Sequence, residues 1–388
     1  MNFEFSEEQR AFRESVRRYL TDNYSFEKRR DIVRNDAFFS HEHWQDTAQL
    51  GWLYLMFAEE HGGLGGDALD SVLLFQELGR SLVVEPFLET LVLAGGILRR
   101  VSTTVAEAQL TKLMNGQLQG ALAHSEIGCR GLRQSPNTRA RRLENHYLIN
   151  GAKAVVHNAA NADLTFVTAQ MENGTVAIFE VHRDDPGVGI HAYATIDGRG
   201  AADLTLTDTQ LPLDRRVASG EKATVILQEI QSDAIIASGA DMLGSMNTLL
   251  ESTVEYTAQR KQFGSRLVDF QVLRHKMVDM FIAIELATSL LYAAAIKVRD
   301  GSPDAAAMAA AAKAKVDKSA KFVAHTAIQL HGGIATTNEL AIGHHLKRIA
   351  VYEQRFGSST SQLRQYHQLT AGAPSDEGLM EKVAAQVA

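Results

Sequence analysis

The apolar residues of this chain change period twice, and that change constrains the fold more than any single residue does. From about Ser6 to Gly116 they recur at helical spacing, as at Phe5, Phe12, Val16 and Leu20, which share one helix face. Ser6, with Gln9 three residues on, forms a capping-box pair that starts the first helix. The turn cluster Glu60-His61-Gly62-Gly63-Leu64-Gly65-Gly66 interrupts the pattern, and Asp70 resumes it through Leu73, Leu74 and Leu78. Gly79 and Pro86 are expected to break it again, with one more helix over 105–114.

The middle of the chain reads as strands. Asn150-Gly151 and Asn173-Gly174 each lie between short apolar runs, which predicts two β-hairpins. Asp203 to Thr207 alternates as a further strand, and Pro212 marks the exit. Long helices follow over about 224–260, 269–299 and 303–331, the last fed by the strong helix formers Ala305 to Ala314, and a shorter one over 338–355. The expected architecture is α+β. An N-terminal helical domain (1–118) precedes a middle β-domain (119–220), a C-terminal helix bundle (221–375) and a tail (376–388).

Composition narrows the function classes. A formal charge of -7 argues against a nucleic-acid surface, since phosphate binding needs clustered positive charge. The single cysteine, Cys129, forms no internal disulfide, and Met1 to Arg18 carries charges throughout, so a cytoplasmic protein without a signal peptide is expected. No stretch offers about 18 uninterrupted apolar residues, so no membrane span is expected. His331, His344 and His345 are too scattered for a metal site.

Three motifs carry the chemistry: Gln259-Arg260-Lys261-Gln262-Phe263-Gly264, then Gln271, then Gln329-Leu330-His331-Gly332-Gly333. Singly, Arg-x-x-Phe-Gly reads as a solvated helix end and Gly-Gly as a C-cap. Their order, together with Phe3 to Arg10 and Glu59 to Gly66, resembles the acyl-CoA dehydrogenase family of flavoproteins almost end to end. That resemblance implies FAD, with its flavin held between the β-domain and the bundle. By the same match Arg260, Gln262, Phe263 and Gln271 reach the adenosine diphosphate end of an FAD bound mainly by a neighbouring subunit, and Gln329, Gly332 and Gly333 make the next contact. An Arg fork suits a pyrophosphate. A homo- or hetero-oligomer, dimer or tetramer, is therefore expected, with electron-transfer flavoprotein as the electron acceptor.

Nearer the flavin, Ser125-Glu126 resembles the family's Thr-Glu pair, although Ile127-Gly128-Cys129-Arg130 replaces the usual continuation. The stretch Asn150 to Asn158 resembles Asn-Gly-x-Lys-x-Trp-Ile-Thr-Asn, which puts Val155 in the Trp position and His157 in that of the Thr near flavin N5. Phe356-Gly357-Ser358 falls where the common pattern has Glu-Gly-Thr, with Ser358 in the place of the cofactor-contacting Thr.

The implied reaction is α,β-dehydrogenation of an acyl-CoA thioester, which needs a carboxylate to take the α-proton. Phe356 supplies none, and Glu353 lies three residues early, as a helix-face carboxylate expected to pair with Arg355 or Lys347. Some branches carry the base on the helix before the Arg turn, at the position of Ala234. Asp241 lies seven residues on, two turns along nearly the same face. An acid among Ala, Gly, Met and Leu is costly to bury without purpose. The branch with pimeloyl-CoA and bacterial steroid side-chain dehydrogenases has an acid at that place, and shares the Gly-His-x-x-Lys-Arg series seen as Gly343 to Arg348. Asp241 is the expected base, with a structural, hydrogen-bonded Asp as the alternative. Val155, Ala234 and Gly239 leave room for a branched or ring-bearing acyl group. Two other readings stand beside the enzyme: a non-catalytic partner subunit of a heteromer, and a flavin oxidase or monooxygenase.

Overall fold

The computed structural model describes residues 5–34, 38–101, 103–127 and 135–371, so Cys129 and the tail lie outside the described residues. Helix α1 (Glu7–Asn23) starts as its sequence dictates. The Ser6 hydroxyl accepts the Gln9 N–H, and the Ser6 N–H donates to Gln9 Oε1. Helices α2 (Phe26–Val33) and α3 (His41–Gln49) follow.

Helix α4 (Ala68–Arg80) begins earlier than Asp70 because Asp67 caps it and Asp70 closes a second capping box. Gly79 does not end this helix. Its missing side chain instead lets α4 approach the bundle, for a Cβ there would stand 1.9 Å from the Asp241 carbonyl oxygen. After Pro86 comes a π-helix over Leu88–Ala94, which the sequence pattern did not anticipate, then α5 (Gly95–Leu98) and α6 (Thr104–Met114).

Among the described residues the middle region forms an eight-stranded sheet. Its strands are β1 (Gly120–Ala123), β2 (Arg139–Arg142), β3 (His146–His157), β4 (Leu164–Met171), β5 (Val176–Val181), β6 (Val188–Ala194), β7 (Gly200–Pro212) and β8 (Arg216–Ser219). The order is β6-β7-β3-β2-β4-β5-β8, with β1 parallel to β4. The Asn173-Gly174 hairpin joins β4 to β5 as expected. Asn150-Gly151 is not a turn. It lies inside β3, where the register against β7 shifts at a bulge. Its glycine is needed there, because φ is +155° and a Cβ would stand 2.7 Å from the Thr138 Cα.

The bundle opens with α7 (Glu221–Gln259), followed by a ribbon of β9 (Lys261–Gln262) and β10 (Ser265–Arg266). Then come α8 (Gln271–Arg299), α9 (Ala305–His331), α10 (Ala341–Gln354) and α11 (Ser359–Thr370). The alanines of α9, such as Ala310, Ala320 and Ala324, are fully buried and let α7 and α8 pack closely on it. Helix α8 is long and apolar enough to cross a membrane by length and composition. It packs against α4, α7 and α9 and carries Asp279 and Glu285, while Val278, Phe281, Ile282 and Leu286 stay exposed on its outer side.

Candidate active site

A cavity of about 630 Å³ opens where the sheet, the π-helix and the end of α10 meet. The π-helix turns Glu89 and Leu93 into it, and such helices occur mostly at functional sites. Strand β3 contributes Val155 and His157, the segment after β1 contributes Ser125 and Glu126, and α10 ends at the wall with Arg355 and Phe356. Three small side chains, Ala154, Ala194 and Ala350, widen it. Two wall residues hold unfavourable backbone: Val155 at φ +53° and Phe356 at φ +57°. A β-branched or bulky residue there costs on the order of 1–3 kcal/mol and persists only where its surroundings fix it. Asp203 does so for Val155, whose N–H it accepts at 2.9 Å. For Phe356, the Gln362 amide donates to its carbonyl.

Glu126 anchors the wall. Its carboxylate accepts from Lys153 Nζ at 2.7 Å, from the Thr138 N–H at 3.0 Å and from the Asn137 N–H at 2.6 Å. Burial would raise its pKa, but Lys153 and Thr138 outweigh that and bring it down to about 2. With those partners it is committed to structure.

Glu89 is the other cavity carboxylate. It is buried, with Oε1 2.8 Å from Arg355 Nη2 in an ion pair whose angle falls short of a hydrogen bond. Burial pushes its carboxyl up, and Arg355 and Arg199 more than offset this, so it stays below the usual range and ionised. Burial and Arg355 together push the His157 imidazole well below its ordinary value, so the ring is neutral. Glu89 Oε1, Arg355 Nη1 and His157 Nδ1 are all sealed from water without a hydrogen-bond partner.

Asp241 is not in this cavity. Its Oδ2 lies 2.8 Å from Arg199 Nη2 and 3.0 Å from Arg348 Nη1, beneath the wall and almost fully buried. The side chain meets two cations contributed by distant segments, which is what makes its burial tolerable. The room expected from Ala234 and Gly239 is also elsewhere. Ala234 is buried in the core, and Leu291 fills the space beside Gly239. Glu353 pairs with Lys321 at 3.3 Å, and with neither Arg355 nor Lys347. Arg355 faces Glu89 instead.

The remaining expected residues divide in two. Ser125 and His157 line the cavity. Arg260, Gln262, Phe263, Gln271, Gln329, Gly332, Gly333 and Ser358 are exposed on the bundle surface, and nothing lies within 4 Å of a Cβ placed on Gly332 or Gly333. Ser358 also caps α11 through the Ser361 N–H. Among the described residues no cluster of His, Cys, Asp or Glu could hold a metal. Glu89 and Arg355 escaped the sequence reading. The available signal was an acid alone in the apolar run Phe87-Leu88-Glu89-Thr90-Leu91-Val92-Leu93.

Comparison with known proteins agrees with this architecture region by region. The N-terminal, middle and C-terminal domain profiles of acyl-CoA dehydrogenase match residues 6–117, 121–209 and 232–368. Mitochondrial isovaleryl-CoA dehydrogenase of Pongo abelii is 26% identical over 373 residues, covering 92% of this chain and 87% of the relative. The ChsE4-ChsE5 complex from Mycobacterium tuberculosis superposes with a TM-score of 0.86 at 26% identity, over 97% of this chain and 100% of the matched one. A structure of PigA with FAD and proline gives 0.86 at 25% identity, over 95% and 98%. The chain belongs to the acyl-CoA dehydrogenase family: it is an FAD-dependent oxidoreductase with that family's fold. The cavity suits a flavin ring, being roomy, largely apolar and lined by Ser125 and the neutral imidazole of His157.

Proposed function

We propose that this chain oxidises a bulky, branched or ring-bearing acyl-CoA to its 2-enoyl-CoA, in the cytoplasm, and passes the electrons to an electron-transfer flavoprotein. The observation that supports the substrate reading is the set of small side chains, Ala154, Val155, Ala194 and Ala350, on a cavity of about 630 Å³ that flavin ring and acyl group would share. FAD, when bound, supplies the acceptor for the β-hydride. The chain's own residues do the rest. His157 and Ser125 meet the edge of the flavin, Phe356 offers its backbone N–H to the thioester oxygen, and the apolar wall excludes water, which strengthens such contacts.

Arg260, Gln262, Phe263, Gln271, Gln329, Gly332, Gly333 and Ser358 hold the far end of FAD together with a second chain. Their exposure supports this reading, as does the apolar outer face of α8 with Val278, Phe281, Ile282 and Leu286, a patch suited to burial against another chain. The test is an anaerobic titration of the FAD-loaded oligomer with acyl-CoAs of different bulk. Faster bleaching by bulky thioesters is expected, and a clear preference for short unbranched ones would end the substrate reading.

A second reading is a partner subunit whose own cavity is silent. It is favoured by the clamping of Asp241 between two arginines and by the apolar side chain of Phe356 at the cavity wall. A purified chain that neither retains flavin nor binds acyl-CoA until a second polypeptide is added would support it.

A further inference from the structure

We propose that Glu89 is the group that takes the α-proton of the thioester. This inference rests on the dehydrogenase reading above and names a residue which that reading leaves open. Four observations converge on it. Of the two carboxylates that line the cavity among the described residues, Glu126 is hydrogen-bonded to Lys153, Thr138 and Asn137, whereas Glu89 has the Arg355 ion pair at 2.8 Å and no side-chain hydrogen bond. The π-helix that carries Glu89 widens its backbone spiral at the point where the side chain enters the cavity, the kind of local irregularity found at working sites. The cavity is mostly apolar, so water does not compete for the carboxylate. Asp241 and Asp197, acids at the neighbouring junction, lie outside the lining and face Arg199 and Arg348.

The charged and titratable groups facing Glu89 come from three directions. They are Arg355 from the end of α10, Arg199 from the start of β7 and the neutral His157 from β3. The two cations keep the carboxylate ionised, which is the state a base requires. They also make it a weaker base, so their removal has a readable consequence. In the step itself the α-C–H bond breaks, its electron pair stays on the substrate as an enolate, and the proton joins the Glu89 carboxylate. The substrate's oxidation state does not change in this proton transfer, so the step consumes no oxidant.

The experiment isolates that first half. A 3-thiaacyl-CoA has an acidic α-proton but carries sulfur in the β position, so it can be deprotonated and not oxidised. The FAD-loaded oligomer is incubated with it in D₂O, α-deuterium is counted by mass spectrometry, and binding is followed by calorimetry. Wild type should bind and exchange. Glu89→Gln should bind within a few-fold of wild type and exchange about 10²–10⁴-fold more slowly, the usual effect of a general base. Glu89→Asp should recover part of the rate, and Asp241→Asn, assayed as folded protein, should exchange like wild type.

Arg355→Gln provides a second route that leaves the carboxylate in place. It should move the acidic limb of the exchange profile to higher pH. Undiminished exchange in Glu89→Gln, or an unmoved limb in Arg355→Gln, would overturn the assignment. So would a wild type that binds the thioester and exchanges nothing. A wild type that binds no thioester at all overturns the reading of the cavity, and the role of Glu89 with it.

Discussion

Arg348 reaches Asp241 from 107 residues away in sequence and closes an ion pair at 3.0 Å that Arg199 shares from the other side at 2.8 Å. The same Arg348 donates to the Val83 carbonyl at 2.7 Å, and Arg29 joins the Leu82 and Asp197 carbonyls at 3.0 and 2.6 Å. The helical N-terminal region, the sheet and the bundle are thus tied at one buried junction. Five charged groups meet there: Arg29, Asp197, Asp241 and Arg348, which are buried, and Arg199, which is partly so. Burial and the neighbouring Arg199 lower the Arg348 pKa. The Asp197 carboxyl is raised by burial, yet held below its ordinary value by Arg199 and Arg348.

Asp241→Ala should therefore act on stability. Breaking a buried ion pair from one side costs about 3–5 kcal/mol, and here it leaves Asp197, at 3.7 and 3.8 Å, to face both Arg348 and Arg199. A large drop in urea midpoint is expected, with Asp241→Asn milder because its amide oxygen still accepts a hydrogen bond. Chemical denaturation followed by circular dichroism checks this, and an unchanged midpoint would show that Asp197 alone suffices to hold the two arginines.

Acid should loosen the β-domain through Glu126. Its carboxyl titrates at about 2 in the folded chain, below the ordinary glutamate value of about 4.3. A depressed folded-state pKa contributes stability that is fully present above the unfolded value and is lost as pH falls through the folded one. Unfolding monitored down to pH 2 should show this loss. Lys153→Met removes the cation that depresses Glu126, so its acid transition should lie at higher pH than wild type.

What the sequence made legible was local. Ser6 and Gln9 cap α1 because both partners of the box lie within one turn, and the Asn173-Gly174 hairpin needs only its own flanks. Asn150-Gly151 carries the same dipeptide signal but sits within β3, since both of its flanks pair with β7 and Thr138 occupies the space a side chain would need. The π-helix escaped because apolar periodicity assumes 3.6 residues per turn. The partners of Asp241 escaped because the separations of 42 and 107 residues to Arg199 and Arg348 leave no local pattern. Asp241 is buried against Arg199 and Arg348, outside the cavity lining, and no local pattern in the sequence marks that junction.

Arg260→Ala should weaken FAD retention. Arg260 is exposed at the end of α7, where its backbone N–H caps the helix on the Tyr256 carbonyl and its side chain is left to the surface. A hydrogen bond to a charged group is worth about 1.5–3 kcal/mol, so a loss of roughly 10- to 100-fold in affinity is expected. Flavin content after gel filtration measures it. Full occupancy in the variant, or a flavin-bearing monomer, would remove the shared-cofactor reading.

Val155→Trp should narrow substrate choice. Val155 lines the cavity at 48% exposure, with its backbone in a left-handed conformation held by Asp203. An indole there would occupy space in the cavity lined by Ala154, Ala194 and Ile196, whereas Glu89 and Arg355 enter it from other elements, the π-helix and the end of α10. Overfilling acts through shape. Accommodating the added volume costs typically about 1–3 kcal/mol, which corresponds to roughly 5- to 150-fold against a ligand that must share the space. The variant should lose kcat/KM for ring-bearing acyl-CoAs by a factor in that range and keep it for straight short chains. Equal losses for both substrates would mean that the indole disturbs the flavin, and a loss confined to short chains would place the acyl group elsewhere in the cavity.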